Sequence, residues 1–145
     1  MSITQIMSQH HGECDEIFFN LESSFEAKDW DSIQKAVPHF VLEMKKHFSI
    51  EEDILFPAYE QAGVITGGPI NVMRMEHVQM RHLFQHLLDA MEKREQRDLT
   101  GTWETIQIMM QQHNMKEEGL VYPMIDQTLG ESLLGQVEQE LAAAA

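Results

Sequence analysis

The segments HFSIEEDILFP, residues 47–57, and HNMKEEGLVYP, residues 113–123, have His, a Glu-Glu pair and Pro at matching places. One offset relates them, because 113 − 47, 117 − 51 and 123 − 57 all equal 66. The same offset aligns MRMEHVQMRHLF, which contains His77, with IMSQHHGECDEIF, which contains His11. The chain therefore consists of two halves of similar pattern. A single duplication of this length favours a pseudo-twofold bundle over a solenoid.

Helical periodicity runs through most of the sequence, and strand-like alternation is nearly absent. Long helical segments are predicted at about 3–26, 32–61, 70–94 and 102–127. Breaks are predicted at AKDWDS, at GVITGGP and at RDLTGT, where Gly101 and a Thr cap would separate two helices. Short loops between long helices predict antiparallel neighbours. The fold class is therefore all-α, an up-down-up-down four-helix bundle with an internal pseudo-twofold repeat.

The C-terminal residues predict an addition to this bundle. ESLLGQVEQEL has apolar residues at 133, 134, 137 and 141, which indicates a short fifth helix over about 130–142. Pro38 lies inside the second segment and marks either that helix's true start or a kink. With 145 residues, the chain is expected to form one domain, 1–145, with the bundle at about 3–127.

The composition argues against several classes of partner. The chain has 24 Asp and Glu against 10 Lys and Arg, so its formal net charge of −14 disfavours nucleic acid and anionic membranes. The first residues lack the pattern of a secretory signal, and no apolar run is long enough to cross a bilayer, so a cytoplasmic location is expected. Cys14 is the single cysteine, which excludes an internal disulfide. The 8 histidines point to metal binding instead.

Helix geometry collects the repeated His and Glu residues into one candidate site. Residues four apart share a helix face, and apolar neighbours at helical spacing turn this face toward the core. The predicted metal ligands are one His from each of the four helices and a Glu from two of them: His11, His47, Glu51, His77, His113 and Glu117. An ionised carboxylate in an apolar interior needs a compensating partner, and a divalent cation is such a partner.

Four imidazoles and two carboxylates suit two metal ions, since each Glu can bridge both. Mixed nitrogen and oxygen ligands point to iron, with manganese or zinc possible. Each ion would keep a position for water, an oxo bridge or a gas. Two HxxxE pairs by themselves are a weak indication of a metal site. Two such pairs in register, with two further His at the same offset, are a strong indication.

These motifs carry a resemblance to a known family. With HFSIEEDILFP, HNMKEEGLVYP and MEHVQMR, the sequence resembles a hemerythrin-like (HHE cation-binding) domain over roughly residues 5–127. The resemblance implies a centre of two iron ions, Fe–O(H)–Fe, ligated by the six residues above, which binds O2, NO or another small ligand. The oxygen-carrying members have an extra His where this chain has Met73. This difference favours a sensor or an iron-handling protein over a reversible carrier.

Several polar residues near the predicted ligands have alternative interpretations. His10 precedes the first-helix ligand and could replace it, but the offset pairs His10 with Glu76, which favours a flanking role. Glu52 and Glu118 lie one residue beyond the ligand face and are expected to be solvated or to hydrogen-bond a ligand. Glu43 is the first candidate for a substitute ligand.

Three classes of function remain open. A non-catalytic di-iron protein would bind, sense or store O2, NO or iron, acting as a homodimer or with a separate signalling partner. A di-iron oxidase or iron-donor repair protein would use the same ligands with an open position. A structural, zinc-filled interaction module is the third. The sequence shows no acid-base pair away from the metal and no nucleotide loop, so an enzyme has no independent support.

Overall fold

The computed structural model describes residues 1–63 and 68–143. The first half contains three α-helices and a π-helical segment: α1 (Ile3–Glu26), α2 (Trp30–Ile50), π-helical Glu51–Leu55 and α3 (Phe56–Gln61). The second half repeats this order: α4 (Pro69–Glu92), α5 (Gln96–Lys116), π-helical Glu117–Val121 and α6 (Tyr122–Leu129). Because each π-helical segment joins its neighbours without a break, four long rods form the bundle. The predicted all-α, up-down-up-down architecture is confirmed.

The pseudo-twofold repeat extends to the bounds of the helices. The starts of α4, α5 and the second π-helical segment follow those of their counterparts by 66 residues, as 69 − 3, 96 − 30 and 117 − 51 show. Lys28 and Arg94 are also 66 apart, by 94 − 28, and have positive φ angles of 52° and 53° in the turns after α1 and α4. The two halves therefore share their turns as well as their helices.

The predicted break at RDLTGT is wrong. Gly101 lies inside α5, which begins at Gln96. The chain turns earlier, because Arg94 adopts the left-handed conformation immediately after α4. A glycine inside a helix costs only about 1 kcal/mol relative to alanine, and the packing of the rest of α5 offsets that cost.

Other predicted boundaries are corrected or refined. α2 begins at Trp30, after the Asp29 carboxylate accepts a hydrogen bond from the Ser32 N–H, so Pro38 lies within the helix instead of starting it. The predicted C-terminal helix is a 3-10 turn, Gly130–Leu133, followed by α7 (Leu134–Ala142). The predicted GVITGGP loop falls largely outside the described residues.

Two hydrophobic clusters fill the bundle, one on each side of the candidate site. The first includes Phe18 and Trp103, whose stacked ring centroids lie 4.9 Å apart. The second includes Met7, Met73 and, from α7, Val137. Burial of such side chains contributes roughly 1.5–3 kcal/mol each, so these clusters supply the main stabilisation of the fold. They also keep water away from the polar residues between them.

The two π-helical segments have a common local cause. A proline follows each of them, and proline has no N–H to donate while its ring collides with the carbonyl four residues earlier. The helix widens by one residue at this point, and the Phe56 N–H donates to the Glu51 carbonyl. The equivalent bond forms 66 residues later. Such π-helical turns occur frequently at functional sites.

Candidate metal centre

The structure brings the six predicted ligand residues together between the two hydrophobic clusters. All six are buried, and none is more than 2% exposed. Their ligand atoms form two groups, each within 4.8 Å: His11, His47, Glu51 and Glu117, and then Glu51, His77, His113 and Glu117. The two glutamates belong to both groups, so two neighbouring ions could share them. We call the group with His11 and His47 the first position and the group with His77 and His113 the second position.

At the second position, hydrogen bonds to carboxylates orient both imidazoles. His77 Nδ1 donates to Glu52 Oε2 over 2.6 Å, and His113 Nδ1 donates to Glu76 Oε1 over 2.8 Å. With the proton on Nδ1, a neutral imidazole presents a lone pair at Nε2. Both Nε2 atoms face the shared glutamates, as metal ligation requires.

The first position uses a longer chain of hydrogen bonds for one of its imidazoles. His11 Nδ1 donates directly to Glu118 Oε2 over 2.9 Å. His10 Nε2 donates to Glu43 Oε2 over 3.2 Å, and His10 Nδ1 lies 2.8 Å from His47 Nδ1, from which it can accept. His10 therefore flanks the site, and Glu43 supports His10 instead of replacing a ligand.

Four buried atoms of the second position have no hydrogen-bond partner among the described residues: Glu51 Oε1, His77 Nε2, His113 Nε2 and Glu117 Oε2. His77 Nε2 and Glu51 Oε1 are 3.0 Å apart, but they lack the alignment of a hydrogen bond. An unsatisfied buried polar group costs about 1–3 kcal/mol. A cation coordinated by these four atoms would remove that cost, so the residues present fit a metal ion.

The electrostatics of the site also favour a cation. Burial lowers the pKa values of His11 and His77, but the neighbouring carboxylates raise them more, to about 10 and about 9. Burial lowers the pKa of His47 to about 3, and burial beside Glu51 raises that of Glu117. The site therefore retains protons near its carboxylates when no other positive charge is present. A metal ion would displace these protons.

Tyr122 reaches the centre although the sequence did not predict it. Its hydroxyl oxygen lies 2.6 Å from Glu51 Oε2 and 3.0 Å from Glu117 Oε1. In a regular α-helix, a residue five places after Glu117 would be turned away by about 140° at about 100° per residue. The π-helical segment between them removes much of this rotation. The signal that could have found Tyr122 is the proline that follows it.

A family comparison agrees with this geometry. The model of the hemerythrin HHE cation-binding domain matches residues 2–125. The chain belongs to this family. The hemerythrin HHE match spans the four rods, ends within α6 and leaves α7 outside. No curated protein and no solved structure gives a significant match.

The hemerythrin family and the two buried His and Glu groups together indicate a metal-binding site at the centre of the bundle. The exposed His82 and His86 do not contribute to it. None of the helices in residues 1–63 and 68–143 has the length and apolar character of a membrane span.

Proposed function

We propose that this hemerythrin-like protein holds two iron ions and binds O2, NO or a similar small molecule at them. The observation that carries the proposal is that Glu51 and Glu117 each belong to two groups of ligand atoms. A single ion could not use both groups at once. Two ions could, with each glutamate bridging them through its two oxygens.

The ligand set is compatible with iron. The first ion would be held by His11 and His47, and the second by His77 and His113, with Glu51 and Glu117 shared. Two imidazoles and two carboxylate oxygens per ion are a mixed nitrogen and oxygen set, which suits iron and also admits manganese or zinc. When bound, iron supplies the redox and ligand-binding chemistry that no protein side chain here provides.

The chain's own residues would hold this centre rigid and dry. The outward hydrogen bonds of the four imidazoles fix their orientation, and such bonds typically change metal affinity by about 10–100-fold. The hydrophobic clusters exclude bulk water from both positions. Met73, buried among them, stands where the oxygen carriers have an extra His. We therefore favour a cytoplasmic sensor or iron-handling protein, working as a homodimer or with a signalling partner, over a carrier.

Metal analysis followed by ligand addition tests the proposal. Protein loaded with ferrous iron under anaerobic conditions should contain two irons per chain, and its absorption spectrum should change on addition of NO or O2. His86→Ala, which alters an exposed histidine, should behave like the unaltered protein. Saturation at one ion would contradict the dinuclear site. Two ions without any response to either gas would favour the structural metal module.

A further inference from the structure

The pseudo-twofold repeat is broken by one hydroxyl at the centre of the site. Tyr122 and Phe56 are equivalent, because 122 − 56 is 66, and each is the first residue after a π-helical segment. Both side chains are fully buried. Phe56 places an apolar ring beside His77, with centroids 6.0 Å apart. Tyr122 places a polar oxygen at the equivalent point of the first position.

The Tyr122 hydroxyl lies within hydrogen-bond distance of four nitrogen and oxygen atoms of the candidate ligands. Besides the two carboxylates, His11 Nε2 and His47 Nε2 lie 3.2 and 3.1 Å from its oxygen. In the neutral, Nδ1-protonated form that binds a metal, both imidazoles are acceptors at Nε2, as the carboxylate oxygens are. A phenol has one proton to donate. In that form, three of the four acceptors would face the lone pairs of the phenol oxygen of Tyr122.

A metal ion among these five atoms removes the conflict. In octahedral coordination with metal–ligand distances of about 2.1 Å, neighbouring ligand atoms are about 3 Å apart. The Tyr122 oxygen lies 2.6, 3.0, 3.1 and 3.2 Å from the four ligand atoms of the first position. These are the separations expected between the ligands of one ion.

We propose that Tyr122 is a fifth protein ligand, through its phenolate oxygen, of the ion at the first position. The proposal rests on the proposed function, because it assumes that the centre holds metal. On binding, the phenol O–H bond is replaced by an O–metal bond, and the proton leaves to solvent. The second position has Phe56 in the equivalent place and receives no fifth ligand from it. The second position would therefore keep more room for an added small molecule than the first.

The visible spectrum of the ferric protein tests this assignment, because a phenolate bound to ferric iron gives a visible charge-transfer band. The chain has 2 tyrosines, Tyr59 and Tyr122. Tyr59→Phe should keep the band, and Tyr122→Phe should lose it while still binding iron. An unchanged band in Tyr122→Phe would overturn the proposal.

A second measurement uses the unaltered protein and does not depend on the folding of a variant. Resonance Raman spectra excited in the visible band should contain tyrosinate vibrations, and these should shift when the protein is made with ring-deuterated tyrosine. Absence of these vibrations in protein with two irons per chain would overturn the role of Tyr122 and leave the proposed function intact. Failure to bind iron at all would instead contradict the proposed function.

Discussion

The first and second positions have the same backbone and the same ligand types, but their surroundings differ. Tyr122 faces the first position, and its counterpart Phe56 faces the second. Outside the ligands, His10 supports the first position where Glu76 supports the second, and 76 − 10 is again 66. The difference shows that a duplicated fold can keep its candidate metal ligands while the residues around them diverge. Two ions held by the same types of His and Glu ligand would then have unequal chemistry.

The outermost contacts also differ between the two positions. Arg81 makes two hydrogen bonds of 2.8 Å to Glu52, which orients His77. The counterpart of Arg81 is Asp15, whose pKa is raised by burial and by the nearby Glu118 carboxylate. The outer carboxylate of the second position is therefore neutralised by a cation, while that of the first position lies near a second acid.

Removal of a shared ligand should have the largest effect, because it affects both positions at once. Glu51→Gln keeps the size of the side chain but removes its charge and one ligand oxygen. We expect it to lose both ions in metal analysis and, with them, the stabilisation by bound metal, which is about 2.7 kcal/mol per ion at a free concentration of 100 Kd. Exposed Glu22→Gln is the matched control and should keep both. Two ions retained in Glu51→Gln would contradict the shared ligands.

The effect of pH should be nearly as large. The metal-free protein keeps protons on His11 and His77, whose pKa values of about 10 and about 9 exceed the ordinary 6.5. These protons stabilise the metal-free fold fully below pH 6.5, and this contribution is lost as pH rises through 9 and 10. A metal ion must displace these protons to bind. The affinity of the site for metal should therefore rise with pH, by up to about tenfold per pH unit for each proton displaced.

Calorimetry with zinc, which is not oxidised, measures this dependence. The increase in Tm on adding zinc should grow between pH values of about 7 and 9. An increase that stays constant over this range would show that no protons are displaced from the site.

Substitution of the residues that hydrogen-bond the Nδ1 atoms of His47 and His113 should weaken metal binding at one position at a time. His10→Ala should weaken metal at the first position, since it removes the acceptor of His47 Nδ1, and Glu76→Ala should weaken metal at the second position in the same way. We expect a loss of about 10–100-fold in affinity for one of the two ions in each variant. Titration with two resolved binding steps measures it. Equal weakening of both steps in either variant would show that the positions are not independent.

The smallest effect is expected at Arg81. Its removal in Arg81→Ala breaks a partly exposed ion pair, which typically contributes about 0.2–1 kcal/mol. Burial would raise the pKa of Glu52, but hydrogen bonds from His77 and Arg81 lower it to about 2. The stabilisation is therefore present above pH 4.5 and is lost as pH falls through 2.

Denaturant unfolding of Arg81→Ala at neutral and acidic pH measures this contribution. The variant should be slightly less stable at neutral pH, and the difference should shrink in acid. Asp15→Ala is the counterpart variant, and it should cause no such loss. A loss of equal size in Asp15→Ala would show that Arg81 and Asp15 contribute equally to stability, and that the outer contacts of the two positions do not differ in effect.

The repeat and the grouping of the six candidate ligands could be predicted because they depend on local helix geometry and on one constant offset in sequence. His47 and Glu51 are one helical turn apart, and the offset of 66 identifies their counterparts. The same offset, applied to Trp30, gives the true start of α5 at Gln96, where the turn signal of Gly101 was misleading. Consistent use of the repeat is therefore a better guide to helix bounds here than a single glycine.

The inner and outer partners of the ligands could not be predicted, for two physical reasons. Tyr122 requires the change of helical phase in the π-helical segment, and regular periodicity contains no such change. The bond between His10 and His47 joins residues 37 apart in sequence and depends on the rotation of α1 against α2. Only the packing of the two helices fixes that rotation.

The central claim is that two unequal metal positions share Glu51 and Glu117. A crystal structure of iron-loaded protein, with anomalous scattering recorded at the iron edge, tests it directly. We expect two anomalous peaks between these glutamates, one beside His11 and His47 with the Tyr122 oxygen bound to it, and one beside His77 and His113 with no phenolate. A single peak, or two peaks away from the shared glutamates, would contradict it.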